Sequence, residues 1–280
     1  VIIAVLSGSA VMLAQALRGG ADLLTAGLLL VGLNRSRQRA DRSHRFGYGR
    51  EIYFWTLISA LMLLSVTATV AFYNGWQHFF APPQISNIPI ALIILIFGTV
   101  TNGYALSLSY RRLKGSHAKQ SIWKAFFASA LIETKAAFVL DLMGTLGGIF
   151  GLSALGLFLL TGNVQFDGLG AMLIGLSTGI LAIFLVIDVK DLLVGRSASL
   201  ELEDEIRKTA LAVKGVDDVL DLRTMYIGSE RLLVNMELDL QPHLATEQIE
   251  RLIDIIKAEV KDKVPSVHHI QVELETPHRK

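Results

Sequence analysis

The sequence predicts an α-helical polytopic membrane domain followed by a small cytoplasmic α+β domain, and three observations lead there. Hydrophobic residues make up 52% of the 280 positions while only 18% are charged, a balance shifted well toward the apolar for an ordinary soluble chain. Residues 52–110 contain no Asp, Glu, Lys or Arg, and residues 142–187 contain only Asp167. After Gly195 charges become dense and long apolar runs stop, which places a boundary near residue 196 and divides the chain into residues 1–196 and 197–280. The net charge of +1 argues against nucleic acid as a partner. Without cysteine there is neither a disulfide nor a thiolate metal site.

Residues 1–6 are apolar but too short to span a bilayer, which takes about 20 helical residues. They lack the basic flank and cleavage site of a signal peptide and read as the tail of a further helix. The next span covers residues 10–33. A loop over residues 35–50 carries Arg35, Arg37, Arg39, Arg42, Arg45 and Arg50. Spans are then expected over residues 52–75, 88–109, 123–150 and 166–187, with an uncharged connector at Pro82 and Pro83 and a second basic loop holding Arg111, Arg112, Lys114, Lys119 and Lys124. Positive charge marks the cytoplasmic side, so both basic loops face inward, the connectors near Pro82 and Gly162 face outward, and the last span delivers residues 197–280 to the cytoplasm. Tyr53, Phe54 and Trp55 are expected to anchor one helix end at the interface.

The soluble part reads as α-β-β-α-β. A helix is expected over residues 200–213, strands over 219–227 and 231–240 around a Gly228-Ser229-Glu230 turn, a helix over 246–264 with Thr246 as N-cap, and a strand over 270–274. His268 and His269 are expected in a surface turn. The few histidines, with no cysteine, leave metal binding by this domain unsupported.

Candidate functional residues are the charges inside the spans. Gln15, Arg18 and Asp22 follow i, i+3, i+7 and share one helix face. A charge at the bilayer centre costs roughly 2.5–3.5 kcal/mol on insertion scales, so such residues face protein, water or an ion. An Arg18–Asp22 staple between helices is the plain reading, and a site for a crossing ion is the sharper one. In a second span Glu133, Ala137 and Asp141 fall within roughly 80° of one another, while Lys135 points elsewhere, to another contact or snorkelling to the interface. Grouped carboxylates repel, and a divalent ion, a shared proton or the Arg18 guanidinium would each resolve the repulsion. Oxygen ligands alone suit hard or borderline ions. Asn102 is expected to make an interhelical hydrogen bond, and Asp167 to be solvated or to start its own helix. No nucleophile–base arrangement or phosphate loop is present, so the chain is not expected to be an enzyme and no cofactor is expected.

Three stretches resemble the cation diffusion facilitators, six-helix exporters of zinc, manganese, iron and related ions. S-G-S-A-V-M-L-A-Q-A-L-R-G-G-A-D-L-L is similar to that family's G-S-x-A-M-L-A-E-A-I-H-S-L-A-D. His44 to Trp55, H-R-F-G-Y-G-R-E-I-Y-F-W, is close to H-P-F-G-Y-G-R/K-E-x-Y-F-W of one zinc-transporter-like branch. D-L-R-T, Asp221 to Thr224, sits where the family's cytoplasmic domain has it. The resemblance implies six helices, of which the first is largely missing, a metallochaperone-like cytoplasmic domain that forms a homodimer, and export of a divalent cation by proton antiport. The implied location is integral to a bacterial cytoplasmic membrane. The family's metal site, H/D-x-x-x-D on each of two helices, maps onto Arg18 and Asp22, then Ala137 and Asp141. Arg18 has no lone pair to donate, Ala137 offers no ligand, Gln15 replaces the usual Glu, and Thr134 replaces an Asp beside Glu133. The metal ligands implied are therefore Asp22, Asp141 and Glu133, with Arg18 and Gln15 modifying the site and His44 in the cytoplasmic loop as a metal or proton relay or as part of the Gly47–Tyr48–Gly49 turn. A degenerate member with a structural or regulatory role is the alternative.

Overall fold

The computed structural model describes residues 7–83, 85, 87–115, 121–122, 125–126, 129 and 131–275. The expected first-helix tail (1–6), Lys119, Lys124, the expected start of a span at Trp123, and His278 lie outside the described residues. Two compact units emerge: residues 1–34 with 52–190, and residues 35–51 with 191–280. The arginine-rich loop thus groups with the C-terminal part of the chain rather than with the helices that flank it.

The first unit is built on five helices long and apolar enough to cross a membrane. They are α1 (Ala10–Ser36), α2 (Glu51–Phe80), α3 (Ile88–Gly115), α4 (Ile132–Thr161) and α5 (Gln165–Val194). Each is longer than its apolar run predicts, because helices continue into flanking polar residues until a backbone signal stops them. Gly162, at φ 71°, supplies that stop after α4. The continuous helix α4 begins at Ile132, after a non-helical Leu131 at ψ 84°, and residues 122, 125 and 126 before it are also helical. Within α2 the turn Leu63–Ala68 widens to π-helix, a local insertion that rotates the face presented by the following residues.

Small residues set how closely these helices approach. The core of this unit includes Ala10, Val11, Met12, Ala14, Ala71, Ala91, Leu95, Ala154, Leu155, Ala171 and Ile174. Lipid is as apolar as leucine, so association depends on contact and close backbone approach. Gly75 of α2 and Gly168 of α5 face each other so closely that a Cβ on Gly168 would lie 2.6 Å from the Phe79 amide nitrogen and 2.8 Å from the Gly75 carbonyl oxygen. Backbone cannot yield as a side chain can. Gly168→Ala is expected to destabilise the helical unit by about 1–3 kcal/mol, read as a lower unfolding temperature in detergent. Gly98→Ala, where a Cβ meets nothing within 4 Å, should leave that temperature nearly unchanged.

Tyr53 is fully buried, so it does not serve as an interfacial anchor beside the exposed Phe54. Asp167 is also fully buried. It neither faces solvent nor caps its own helix; it caps α1. Its carboxylate accepts from the Ser9 hydroxyl, from the Ala10 amide at 2.6 Å and from the Val11 amide at 3.3 Å. A carboxylate at a helix N-terminus satisfies the orphan amides and the dipole together, which explains its place in an otherwise uncharged segment.

The second unit contains α6 (Leu200–Leu211), β1 (Val216–Gly228), β2 (Arg231–Leu240), α7 (Thr246–Lys263) and β3 (Val267–Leu274), the expected α-β-β-α-β order. Strand order is β1-β2-β3, with β1 and β2 antiparallel and β2 and β3 parallel. The alternation Leu232, Val234, Met236, Leu238 is buried, as are Leu252, Ile256 and Val260 of α7 and Ile206 and Ala210 of α6, giving a one-sided core between sheet and helices. Ser199 caps α6, accepting from the Leu202 amide. The cap of α7 is Ala245 rather than Thr246, with the Gln248 side chain reaching back to the Ala245 amide at 2.8 Å. His268 and His269 lie within β3 rather than in a turn, because pairing with β2 begins at Val267.

Candidate functional site

Arg18 lies within the first unit with 5% of its surface exposed. Its Nη1 donates to Asp22 Oδ2 at 2.9 Å and its Nε donates to Gln15 Oε1 at 3.3 Å. The i, i+3, i+7 spacing thus produces one contiguous polar ridge on α1. Asp22 also has a buried oxygen, Oδ1, with no hydrogen-bond partner among the described residues. An unsatisfied buried carboxylate oxygen is costly.

The ridge faces the glycine-rich part of α4. A Cβ on Gly144 would collide with Asn102 Oδ1 and lie 2.9 Å from Arg18 Nη1, and one on Gly147 would lie 3.0 Å from Gln15 Nε2. Polar side chains from α1 and α3 therefore occupy space that larger residues on α4 would fill. Asn102 itself donates to the Gly98 carbonyl of its own helix at 2.7 Å, so its hydrogen bond is intrahelical rather than interhelical. Asp141 lies on α4 one turn before Gly144, the residue that the Arg18 guanidinium approaches, while the Ser109 hydroxyl donates to the Ala105 and Leu106 carbonyls of its own helix at 3.2 Å each. The structure thus joins Asp22 to a fixed guanidinium that reaches Gly144, one turn beyond Asp141 on α4.

Glu133 stands in the first turn of α4, eight residues or roughly 12 Å along the helix axis from Asp141. It is at the helix start. Among the described residues no three His, Cys, Asp or Glu side chains form one metal-holding group, so Asp22, Asp141 and Glu133 are not a single cluster here.

Lys135 does not snorkel. It is fully buried, and its Nζ lies 2.9 and 3.1 Å from the two carboxylate oxygens of Asp188 on α5. The ammonium also sits 5.0 Å from the centre of the Phe126 ring, within cation–π range. Asp188 was hidden in the sequence because it directly follows the apolar run of residues 166–187 and reads as the first cytoplasmic charge. The unmatched Lys135 was the available signal that a buried acid had to exist elsewhere.

His44 lies in the loop of the second unit, its ring centre 4.2 Å from that of Tyr48 with the planes tilted by 34°, and its Nδ1 is 3.8 Å from Asp41 Oδ1. Asp41 organises that loop. Oδ1 accepts from the amides of Ser43 and His44 at 2.8 and 2.7 Å, and Oδ2 accepts from the Tyr48 hydroxyl at 2.7 Å. The loop is seated on the β1–β2 hairpin: Gly49 touches the backbone of Ile227 and Gly228, Arg50 Nη2 is 3.0 Å from Met225 Sδ, and Phe46 meets the His269 ring edge-on at 5.5 Å. In the D-L-R-T stretch Thr224 donates to Glu203 at 2.6 Å and accepts from the Ala198 amide at 2.9 Å, tying the start of the domain to β1.

These hydrogen bonds, led by that from Tyr48, hold the Asp41 carboxyl below its usual range. A carboxyl with a lowered folded pKa adds stability above the ordinary aspartate value of about 3.9, and loses it as pH falls through the folded value. Hydrogen exchange at the Ser43 and His44 amides is expected to stay slow down to that window and to rise below it. Asp41→Asn should raise exchange at neutral pH and remove the acid step.

The cation efflux transmembrane domain model matches residues 1–194, and the model for the cytoplasmic domain of cation efflux proteins matches residues 198–277. Among curated relatives, the mouse "Proton-coupled zinc antiporter SLC30A9, mitochondrial" is 24% identical over 96% of this chain and 54% of its own length. A probable cation efflux system protein of Mycobacterium tuberculosis is 26% identical over 95% of this chain and 75% of its own. Zinc transporter ZitB of Pectobacterium atrosepticum is 29% identical over 51% of this chain and 41% of its own. The chain spans about half the length of the first curated relatives it matches. Two matched domains covering nearly all of the chain, five membrane-capable helices and the three-stranded cytoplasmic domain establish that it belongs to the cation diffusion facilitator family, as a multi-pass membrane protein.

Proposed function

We propose that this chain exports a divalent metal cation, zinc, manganese or iron, from the cytoplasm in exchange for protons, taking the cargo at Asp22 and Asp141 and acting as a homodimer without a resident cofactor or catalytic step. The observation that carries this reading is the buried Asp22 Oδ1 with no partner among the described residues, on a polar ridge of α1 that faces α4, the helix bearing Asp141. Such an oxygen needs a proton or a cation, and alternating between the two is what antiport requires. The curated zinc antiporter among the relatives supports the same reading.

Arg18 gives the site its departure from the family pattern. With Asp22 and Asp141 ionised, the guanidinium offsets one of two negative charges, so the pair need not bind metal to be tolerated. An arriving cation must compete with Arg18 for Asp22, which weakens capture and assists release. Cargo with strong oxygen affinity is favoured, because no histidine or cysteine joins the site. Zinc titration of the purified full-length protein tests this. Asp22→Asn with Asp141→Asn is expected to remove one binding event per protomer, and an unchanged stoichiometry in that double variant would refute the assignment.

A second reading has its own observation. Arg18 already pairs with Asp22, and no three-residue metal group occurs among the described residues. On that reading the protein is a structural or regulatory family member whose mid-membrane path is closed, and the titration shows no event to lose.

A further inference from the structure

Residues 35–51 set six arginines against Asp41 and Glu51. Arg37, Arg39, Arg42 and Arg45 are exposed, and no ion pair engages them among the described residues. The loop's own aspartate, Asp41, is exposed but accepts from the Ser43 and His44 amides and the Tyr48 hydroxyl rather than from an arginine. The loop is also held from below by Phe46, Gly49 and Arg50 on β1–β2 and β3. Its arginines are therefore displayed by a folded support and not by a floppy tether.

Membrane-crossing helices run into this loop from both ends, one through Ser36 and the other from Glu51. No arginine among the four is more than six residues from the nearer such end, so the covalent chain keeps all of them near a bilayer surface. Guanidinium groups match phosphate oxygens in a planar, two-point fashion. Basic clusters next to a membrane helix attract anionic lipid, each charge being worth roughly a fivefold change in association. We infer that Arg37, Arg39, Arg42 and Arg45 form a binding site for the headgroups of anionic phospholipids on the cytoplasmic surface. This goes beyond their contribution to topology, which needs only positive charge and no built loop.

The test uses the purified full-length protein in neutral detergent micelles, where sidedness plays no part, with phosphatidylglycerol or phosphatidylcholine added. The readout is the lipid concentration that gives half the maximal rise in unfolding temperature. The parent should respond to phosphatidylglycerol and not to phosphatidylcholine, and its half-point should rise several-fold as salt is raised from about 0.05 to 0.5 M, because the Debye length shortens. Changing all four arginines to Gln should raise the half-point tenfold or more, whereas changing all four to Lys should raise it far less. An unchanged half-point in the Gln variant overturns the proposal, as does equal stabilisation of the parent by inorganic phosphate, which would make the site one for the free anion. Should the Gln variant fail to fold, the salt series and the phosphate arm decide on the parent alone: a salt-insensitive response overturns it.

Discussion

Replacing Arg18 by glutamine is expected to tighten divalent-cation binding at Asp22 and Asp141 by tenfold or more. The guanidinium is nearly enclosed, and it donates to one of the two carboxylates at 2.9 Å. At an effective dielectric of 20, two unit charges about 5 Å apart interact by roughly 3 kcal/mol, and a divalent ion feels the guanidinium twice as strongly. Solvent reaching the partly exposed Asp22 reduces this, yet even half of one unit interaction exceeds the 1.4 kcal/mol of a tenfold change. Glutamine keeps a hydrogen-bond donor toward Asp22 while removing the charge. Zinc titration checks the result: weaker binding in Arg18→Gln would mean that Arg18 shapes the site and does not compete for it. Slower release should accompany the tighter binding, so turnover falls even as affinity rises.

The second large effect is expected at Lys135. Its ammonium and the Asp188 carboxylate have no exposed side-chain surface. Removing one partner takes away the attraction that offsets the other charge's burial, at roughly 3–5 kcal/mol. Lys135→Met should therefore lower stability strongly, and so should Asp188→Leu. The double variant is expected to recover most of the loss, since replacing a buried pair by apolar residues is often neutral or better. Thermal unfolding of all four proteins gives the coupling directly. Additive losses would show that Lys135 and Asp188 act through separate partners.

The helices were legible because lipid demands long apolar runs, and charge-free stretches such as residues 52–110 leave no other solution. Helix ends were not. Hydropathy reports where a bilayer would lie, whereas α4 is delimited by backbone geometry at Leu131 and Gly162, which puts Glu133 in its first turn. The Gln15–Arg18–Asp22 ridge was readable from helical spacing alone. Its surroundings on Gly144, Gly147 and Asn102 were not, since spacing within one helix carries no information about which face of another it meets. Asp167 shows the same limit: a lone acid in an apolar segment announces a partner, but only the fold shows that its partners include the Ser9 hydroxyl and the first amides of α1. The grouping of residues 35–51 with β1–β2 depends on contacts with residues about 175 positions away, such as Arg50 with Met225, beyond any local pattern.

Flux of zinc, manganese and iron into proteoliposomes under a pH gradient tests the transport reading most directly, using the full-length protein beside Asp22→Ala, Asp141→Ala and Arg18→His. Proton-driven flux in the parent, abolished by either aspartate change and altered in rate or ion preference by Arg18→His, is the predicted result. Flux indifferent to both aspartates, or no flux in either the parent or Arg18→His, would contradict it.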